Sequence, residues 1–443
     1  MTASMVNVAL PTMATDFNVD LPTAQWIALG FFAAVASLHL SVGRLADIFG
    51  RGRLFNSGFL LFGLASLAAG LSPSVEWLIA LRIVQAIGLS ILQANAFSLL
   101  MAVFPEEQRG RAMGYFASIA SVGLAIGPLA GGIILHYASW KWMFFCLSPI
   151  SLCTFVIGVC TIQAIGPGTK QRFDIVSAAT MLFWIFPLVF GINRGFILGW
   201  TSSITLSSMA LSMFFLFVFI RRQQTTNNPL VDPTLFRSFN FLTGILTSYL
   251  GFVSLSSVTL LAPFLFQNGL KMPIAQVGLF FSILSVVAAI TAILAGRAVD
   301  RWGSAKPRTA GLLLMCAGYT SMAFVNPSTG IFLALVSLAL TGMGVGFWEA
   351  PAINTIMSSI PSDKLGLGGG FVAGSRTLGW ATGQPIFGGI FALVVMNLGS
   401  EVALSAPQGD QLSGFQITFL FAAIMALLIS IFSGISIFRK SAL

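Results

Sequence analysis

The sequence predicts an all-α polytopic membrane protein built by duplicating one helical unit. Three observations predict it. Apolar runs of roughly 20 residues follow one another along the chain, the length an α-helix needs to cross a bilayer. Only 8% of residues are charged against 56% hydrophobic, with a mean hydropathy of +0.92, whereas a soluble protein carries about 25% charged residues. The third is a frame, Gly43-Arg44-Leu45-Ala46-Asp47-Ile48-Phe49-Gly50, that returns as Gly296-Arg297-Ala298-Val299-Asp300-Arg301-Trp302-Gly303, 253 residues later. A second echo agrees. Gly114, Ala117, Gly123, Gly127 and Gly132 align with Gly370, Ala373, Gly379, Gly383 and Gly388 at an offset of 256. Two near-equal offsets mark an internal repeat. Continuous hydrophobicity argues against an outer-membrane barrel, whose strands alternate over about 10 residues.

Residues 1–13 read as the tail of a first helix. At 1.5 Å per residue they reach about 20 Å, short of the roughly 30 Å hydrocarbon core, so this span is expected to be partial, clipped at its start. No cleavable signal peptide is evident, because a basic start and a small-residue cleavage site are lacking. Further spans are expected at 23–42, 54–72, 77–101, 112–136, 142–164, 174–193, 203–220, 239–266, 274–296, 309–325, 330–359, 369–397 and 414–438. Including the partial first one, that makes 14. The repeat relates helices 1–6 to helices 9–14. The expected organisation is an N-terminal six-helix half (1–165), two inserted helices (166–222), a cytoplasmic connection (223–238) and a C-terminal six-helix half (239–443).

Charge placement orients the spans. Seventeen Lys and Arg fall in one set of alternate loops, among them Arg44, Arg51, Arg53, Arg222, Arg297 and Arg308. The opposite set holds Lys141, Arg194 and Lys271. That bias makes the first set cytoplasmic, the C-terminus with it, in what is expected to be the plasma (inner) membrane. The net charge of +9 is thus topological, and nucleic acid is not an expected partner. Cys146, Cys153 and Cys160 recur every seven residues along one helix, sharing a face as small packing residues, with no metal-ligand spacing. His39 and His136 stand alone in apolar surroundings. No GxxxxGK[ST] phosphate loop and no HExxH appear, so neither an enzyme nor an ATP-driven pump is expected, and no cofactor or metal.

Several residues stand out within the spans. Arg82 is a charge inside an apolar helix, where insertion costs about 2.5–3.5 kcal/mol, so it should face protein or water. Gln85 follows by one turn and Gln93 lies 11 residues on, near the same angular position, which makes a polar stripe. The competing reading of Arg82 is snorkelling from the helix end. Glu349 is the one carboxylate deep within an expected span. It follows Gly342, Gly344 and Gly346 and precedes Pro351. A desolvated carboxylate can carry a proton near neutral pH; the alternative is a structural pairing with Arg376. Gly123, Gly127 and Gly131 recur every four residues with Pro128 among them, a face that admits close helix approach. Asp174, opening helix 7, is expected to cap it.

These stretches resemble the signatures of one family. Residues 43–53 resemble the cytoplasmic signature of the major facilitator superfamily, between its second and third helices. Gly123 to Gly132 resembles the antiporter motif of its fifth helix, and Arg82 to Gly88 its fourth-helix motif. Asn7-Val8-Ala9-Leu10-Pro11 resembles the first-helix motif of the 14-helix drug:proton antiporter branch. The resemblance implies a major facilitator fold of two six-helix halves. It implies a conformational latch at Gly43, Asp47, Gly50, Arg51 and Asp300, and a helix-packing motif at Gly123, Gly127, Pro128, Gly131 and Gly132. The sequence also departs from the branch. The usual acid five positions before the first-helix Asn is Thr2 here, and Ala86 replaces a usual glycine.

The expected function is export of small hydrophobic or amphipathic compounds in exchange for protons, by alternating access. The substrate cavity is expected to be lined by Asn7, Arg82, Gln85, Gln93 and Glu349. With Thr2 at the usual acid position, Glu349 carries the coupling expectation. Small-molecule substrate, protons and membrane lipids are the expected partners. The rivals are an exporter of one metabolite, siderophore or lipid, and a membrane scaffold or sensor that does not transport.

Overall fold

The computed structural model describes residues 2–103, 123, 126–162, 174–226, 233–360, 365–399 and 406–440. Among them the chain forms fourteen α-helices and no strand. They are α1 (Thr2–Asp16), α2 (Leu21–Phe49), α3 (Arg51–Gly70), α4 (Val75–Val103), α5 (Ile126–Tyr137), α6 (Lys141–Thr161) and α7 (Ile175–Leu198). They continue as α8 (Ser203–Thr225), α9 (Phe239–Phe264), α10 (Ile274–Trp302), α11 (Ala305–Ala323), α12 (Gly330–Met357), α13 (Leu365–Asn397) and α14 (Gln408–Lys440). Eleven are long and apolar enough to cross a membrane; the described parts of α1, α5 and α11 fall short of that standard. Each expected span has its helix. For the fifth, Gly114, Ala117 and their neighbours lie outside the described residues.

The frame at 43–53 is tighter than the loop its glycines and charges suggest. Helix α2 runs on through Gly43 and Asp47 to Phe49, and α3 begins at Arg51. One residue turns the chain: Gly50, at φ 90° and ψ 123°. Its repeat partner Gly303 ends α10 at φ 73° and ψ 170°. Both conformations are open essentially to glycine alone, so the repeated frame is a repeated backbone turn.

The helices cluster into two compact units. One comprises Met1–Gln25, Ser121–Ala138 and Thr234–Leu443; the other comprises Trp26–Ala120 and Ser139–Pro233. In the second, α3 packs on α4 and α6, and α7 pairs with α8. In the first, α12 packs on α10 and α11, α11 on α14, and α13 on α9.

Glycines set the closest of these contacts, and the repeat reproduces one of them atom for atom. A Cβ placed on Gly88 of α4 would meet the Phe62 nitrogen at 2.8 Å and the Gly58 carbonyl at 2.9 Å, both on α3. A Cβ on Gly344 of α12 would meet the Met315 nitrogen at 2.6 Å and the Gly311 carbonyl at 2.7 Å, both on α11. Residues 58, 62 and 88 map onto 311, 315 and 344 at the two offsets found in the sequence. A second contact recurs with the helices exchanged. Gly132 of α5 lies against Gly278 of α10, where an added Cβ would stand 2.7 Å from its Cα, and Gly388 of α13 lies against Gln25 of α2. Close backbone approach of this kind is what small residues permit in membrane helices.

Candidate functional site

Two charged junctions inside the helix packing hold residues expected from the sequence, one in each compact unit. The first is built on Arg82. Its side chain is fully buried, and its Nε donates to the Ile27 carbonyl at 3.2 Å, across on α2. Another guanidinium nitrogen donates to the Gln85 side-chain oxygen. The Gln85 amide passes the chain on to the Ser66 hydroxyl of α3 at 2.7 Å, and Ser66 donates to the Phe62 carbonyl at 2.6 Å. The guanidinium lies over the Phe31 ring, 3.9 Å from its centroid. Arg82 does not snorkel. It ties α2, α3 and α4 together through a planar donor fork that a lysine could not reproduce. Gln93, farther along α4, is exposed, so it does not share the enclosure of Arg82 and Gln85. Its neighbour Asn95 turns inward and donates to the Ile91 carbonyl at 2.8 Å.

The second junction is built on Glu349, which forms an ion pair with Arg376 of α13 at 3.2 Å. The pairing weighed against a proton-carrying role is therefore present. The pair is only partly enclosed, with Glu349 24% and Arg376 41% exposed. Its position follows from the glycines before it. A Cβ on Gly342 would strike the Leu284 carbonyl at 2.5 Å and one on Gly346 the Ala288 carbonyl at 2.6 Å, both on α10, while Gly344 faces α11. Backbone contacts on two sides thus fix α12 one turn before Glu349. Immediately before Glu349, the buried Trp348 indole donates to the Thr247 carbonyl of α9 at 3.1 Å and packs where Gly251 leaves room. The Phe252 ring lies 4.8 Å from Trp348 and 5.8 Å from Trp380 between centroids. Arg376 sits over that Phe252 ring at 5.3 Å. Carboxylate, guanidinium and aromatic rings meet where α9, α12 and α13 converge.

Other sequence-derived residues fall as follows. Asn7 is buried on α1, and its Oδ1 has no hydrogen-bond partner among the described residues. Thr2 is buried in the first turn of α1. Asp300 is exposed, Arg51 half-buried, and the Asp47 side chain lies outside what the structure describes. Gly127, Pro128, Gly131 and Gly132 are all buried, whereas a Cβ on Gly123 would meet nothing within 4 Å. Asp174 caps α7 as expected, accepting from the Ser177 nitrogen at 3.1 Å, and it holds Arg222 of α8 at 3.1 Å. Partial burial works to raise its pKa, but the Ser177 hydrogen bonds and Arg222 outweigh that and hold the carboxyl below its ordinary value.

Two residues escaped sequence reasoning. Arg308 reads as one more loop cation, yet it is buried and donates to Ser433, Thr355 and Ser436 at 2.8–3.0 Å, joining α11, α12 and α14. The expected span begins at residue 309 and leaves Arg308 outside it, whereas α11 begins at Ala305 and carries Arg308 in its first turn. Gln384 sits fully buried on α13 with neither amide atom hydrogen-bonded among the described residues. Nothing in its apolar, glycine-rich neighbourhood distinguishes it in sequence.

The family model described as Major Facilitator Superfamily matches residues 1–384. Multidrug resistance protein Stp of Mycobacterium tuberculosis is 29% identical over 391 residues, covering 88% of this chain and 73% of that one. Riboflavin transporter RibZ of Clostridioides difficile is 27% identical over the same length, covering 88% and 84%. Among solved structures, an auto-inhibited POT family peptide transporter superposes with a TM-score of 0.69 at 15% identity, covering 99% of this chain and 95% of that one. At that identity the likeness is one of fold.

Proposed function

The chain belongs to the Major Facilitator Superfamily and is a multi-pass membrane transporter of small molecules, and we propose that it exports hydrophobic or amphipathic compounds in exchange for protons. The observation that carries this reading is Glu349. Among the described residues it is the one carboxylate more than a turn inside a membrane-length helix, eight residues from the end of α12, or about 12 Å. An acid so placed is unfavourable in an apolar segment unless it is paired or used. Its pairing with Arg376 is partly open, so a proton or a cargo molecule can compete for the carboxylate. Protonation would release Arg376 and loosen the tie between α12 and α13, which is the coupling step of the proposed cycle. The relatives named for multidrug resistance support export of foreign compounds as the direction.

Within this reading Asn7, Gln93 and Glu349 meet cargo. Arg82 and Gln85 hold the shape of their unit, and Gly43, Asp47, Gly50, Arg51 and Asp300 serve as the cytoplasmic latch. The two six-helix halves are the moving parts, with the chain in the plasma membrane and its C-terminus in the cytoplasm. A second reading is transport of a single metabolite, favoured by the likeness to a protein named as a riboflavin transporter. Resistance of expressing cells to a chemically mixed drug panel separates the two. Broad resistance that is lost in Glu349→Gln is the expected result. Resistance that survives the substitution would remove Glu349 from the mechanism.

A further inference from the structure

The Glu349 junction has the composition of a receptor for an organic cation, and the protein's own side chain fills it. A carboxylate beside an aromatic face is an arrangement that binds lipophilic ammonium and guanidinium groups. Here the carboxylate is Glu349, the face beneath the charge is Phe252, and Trp348 and Trp380 flank that ring. The occupant is Arg376, held by the same two contacts an incoming cation would make. We propose that Arg376 is a tethered competitor at this site. Cationic amphipathic cargo then binds by displacing its guanidinium from Glu349 and Phe252.

Three features argue for displacement of Arg376 rather than of Glu349. Arg376 is the more exposed partner, at 41% against 24%, and its long stem lets the charged head swing toward water. Glu349 rides on a segment of α12 whose glycines are in backbone contact with α10 and α11. Helix α13 is itself held against the α9 backbone at Gly379 and Gly383, so what moves is the Arg376 side chain and not its helix. An anionic cargo would have to dislodge the better-fixed partner and would meet no aromatic preference for its charge.

This inference rests on the export reading for its cargo, but its test does not need transport. The full chain in lipid nanodiscs is titrated with ethidium, a cationic aromatic dye, and with Nile red, a neutral one, both followed by fluorescence. Arg376→Gln should bind ethidium about fivefold more tightly, which is the loss of a partly exposed competitor of about 1 kcal/mol. Arg376→Lys should stay near the parent, since an ammonium also pairs with Glu349, and Glu349→Gln should abolish the ethidium preference while leaving Nile red binding unchanged. Weaker or unchanged ethidium binding in Arg376→Gln, with Arg376→Lys folded and normal, would overturn the proposal and leave the pair a structural brace. Dye efflux from cells is read separately. If Arg376→Gln tightens ethidium but no dye is exported, the cation site stands and the export reading falls.

Discussion

Arg82 and Glu349 look alike in sequence, as single charges in apolar helices, but the structure uses them differently. Arg82 is enclosed by a carbonyl, an amide and a ring face, so its charge organises packing. Hydrogen bonds to a charged group contribute about 1.5–3 kcal/mol each. Arg82→Lys keeps the charge, loses the fork to Ile27 and Gln85, and should lower the melting temperature of the detergent-solubilised protein by several degrees. An unchanged melt would mean the network adds nothing to stability. Gln384→Met makes the opposite case: removing an unsatisfied buried amide should leave the melt unchanged or raise it. Both inward charges were legible in the sequence. So were Arg376 as a partner for Glu349 and Gln85 beside Arg82, but Ile27 and Phe31 were not, because they contribute a backbone oxygen and a ring face, which no motif encodes.

At the scale of elements, the glycines divide into those that touch backbone and those that touch nothing. Gly278→Val would drive a side chain into Pro128 and Gly132, and Gly344→Val into Gly311 and Met315; both should abolish folding or transport. Gly296→Ala, with nothing within 4 Å, should be neutral or slightly stabilising, as helix propensity favours alanine by about 1 kcal/mol. Expression and size-exclusion profiles of the three variants check this. The sequence displayed the small-residue face of the fifth helix and missed its partner, since Gly278 is 18 residues from the other glycine of α10, Gly296. It likewise marked 43–53 as a loop, where α2 and α3 meet at a single turned glycine. Charge density signalled a helix end but not its length.

The α7–α8 hairpin carries a pH dependence whose sign follows from Asp174. Its carboxyl titrates below the ordinary value of 3.8 in the folded protein, so it contributes stability that is fully present above that value. The contribution is lost as the pH falls through the lower folded value. Because Arg222 is 43% exposed, the effect is modest. Asp174→Asn should lower the melting temperature at neutral pH and flatten the acid limb of its pH profile. An equal acid response in both proteins would exclude this residue.

For the whole molecule, the duplication is the strongest thread between sequence and fold. Offsets of 253 and 256 residues were visible in the glycine and charge frames. They reappear as the same α3–α4 and α11–α12 contact made with corresponding atoms. Across the expected division into two six-helix halves, α1 packs on α9 and the described part of α5 lies against α10. In the proposed cycle such helices are where one half meets the other, and Glu349 converts protonation into movement between them. Proteoliposomes loaded with a pH-sensitive dye test that claim most directly. Ethidium driven by its own gradient should move protons the opposite way in the parent protein, and should move without proton flux, or not at all, in Glu349→Gln. Proton flux of parental size in the Glu349→Gln protein would contradict the account.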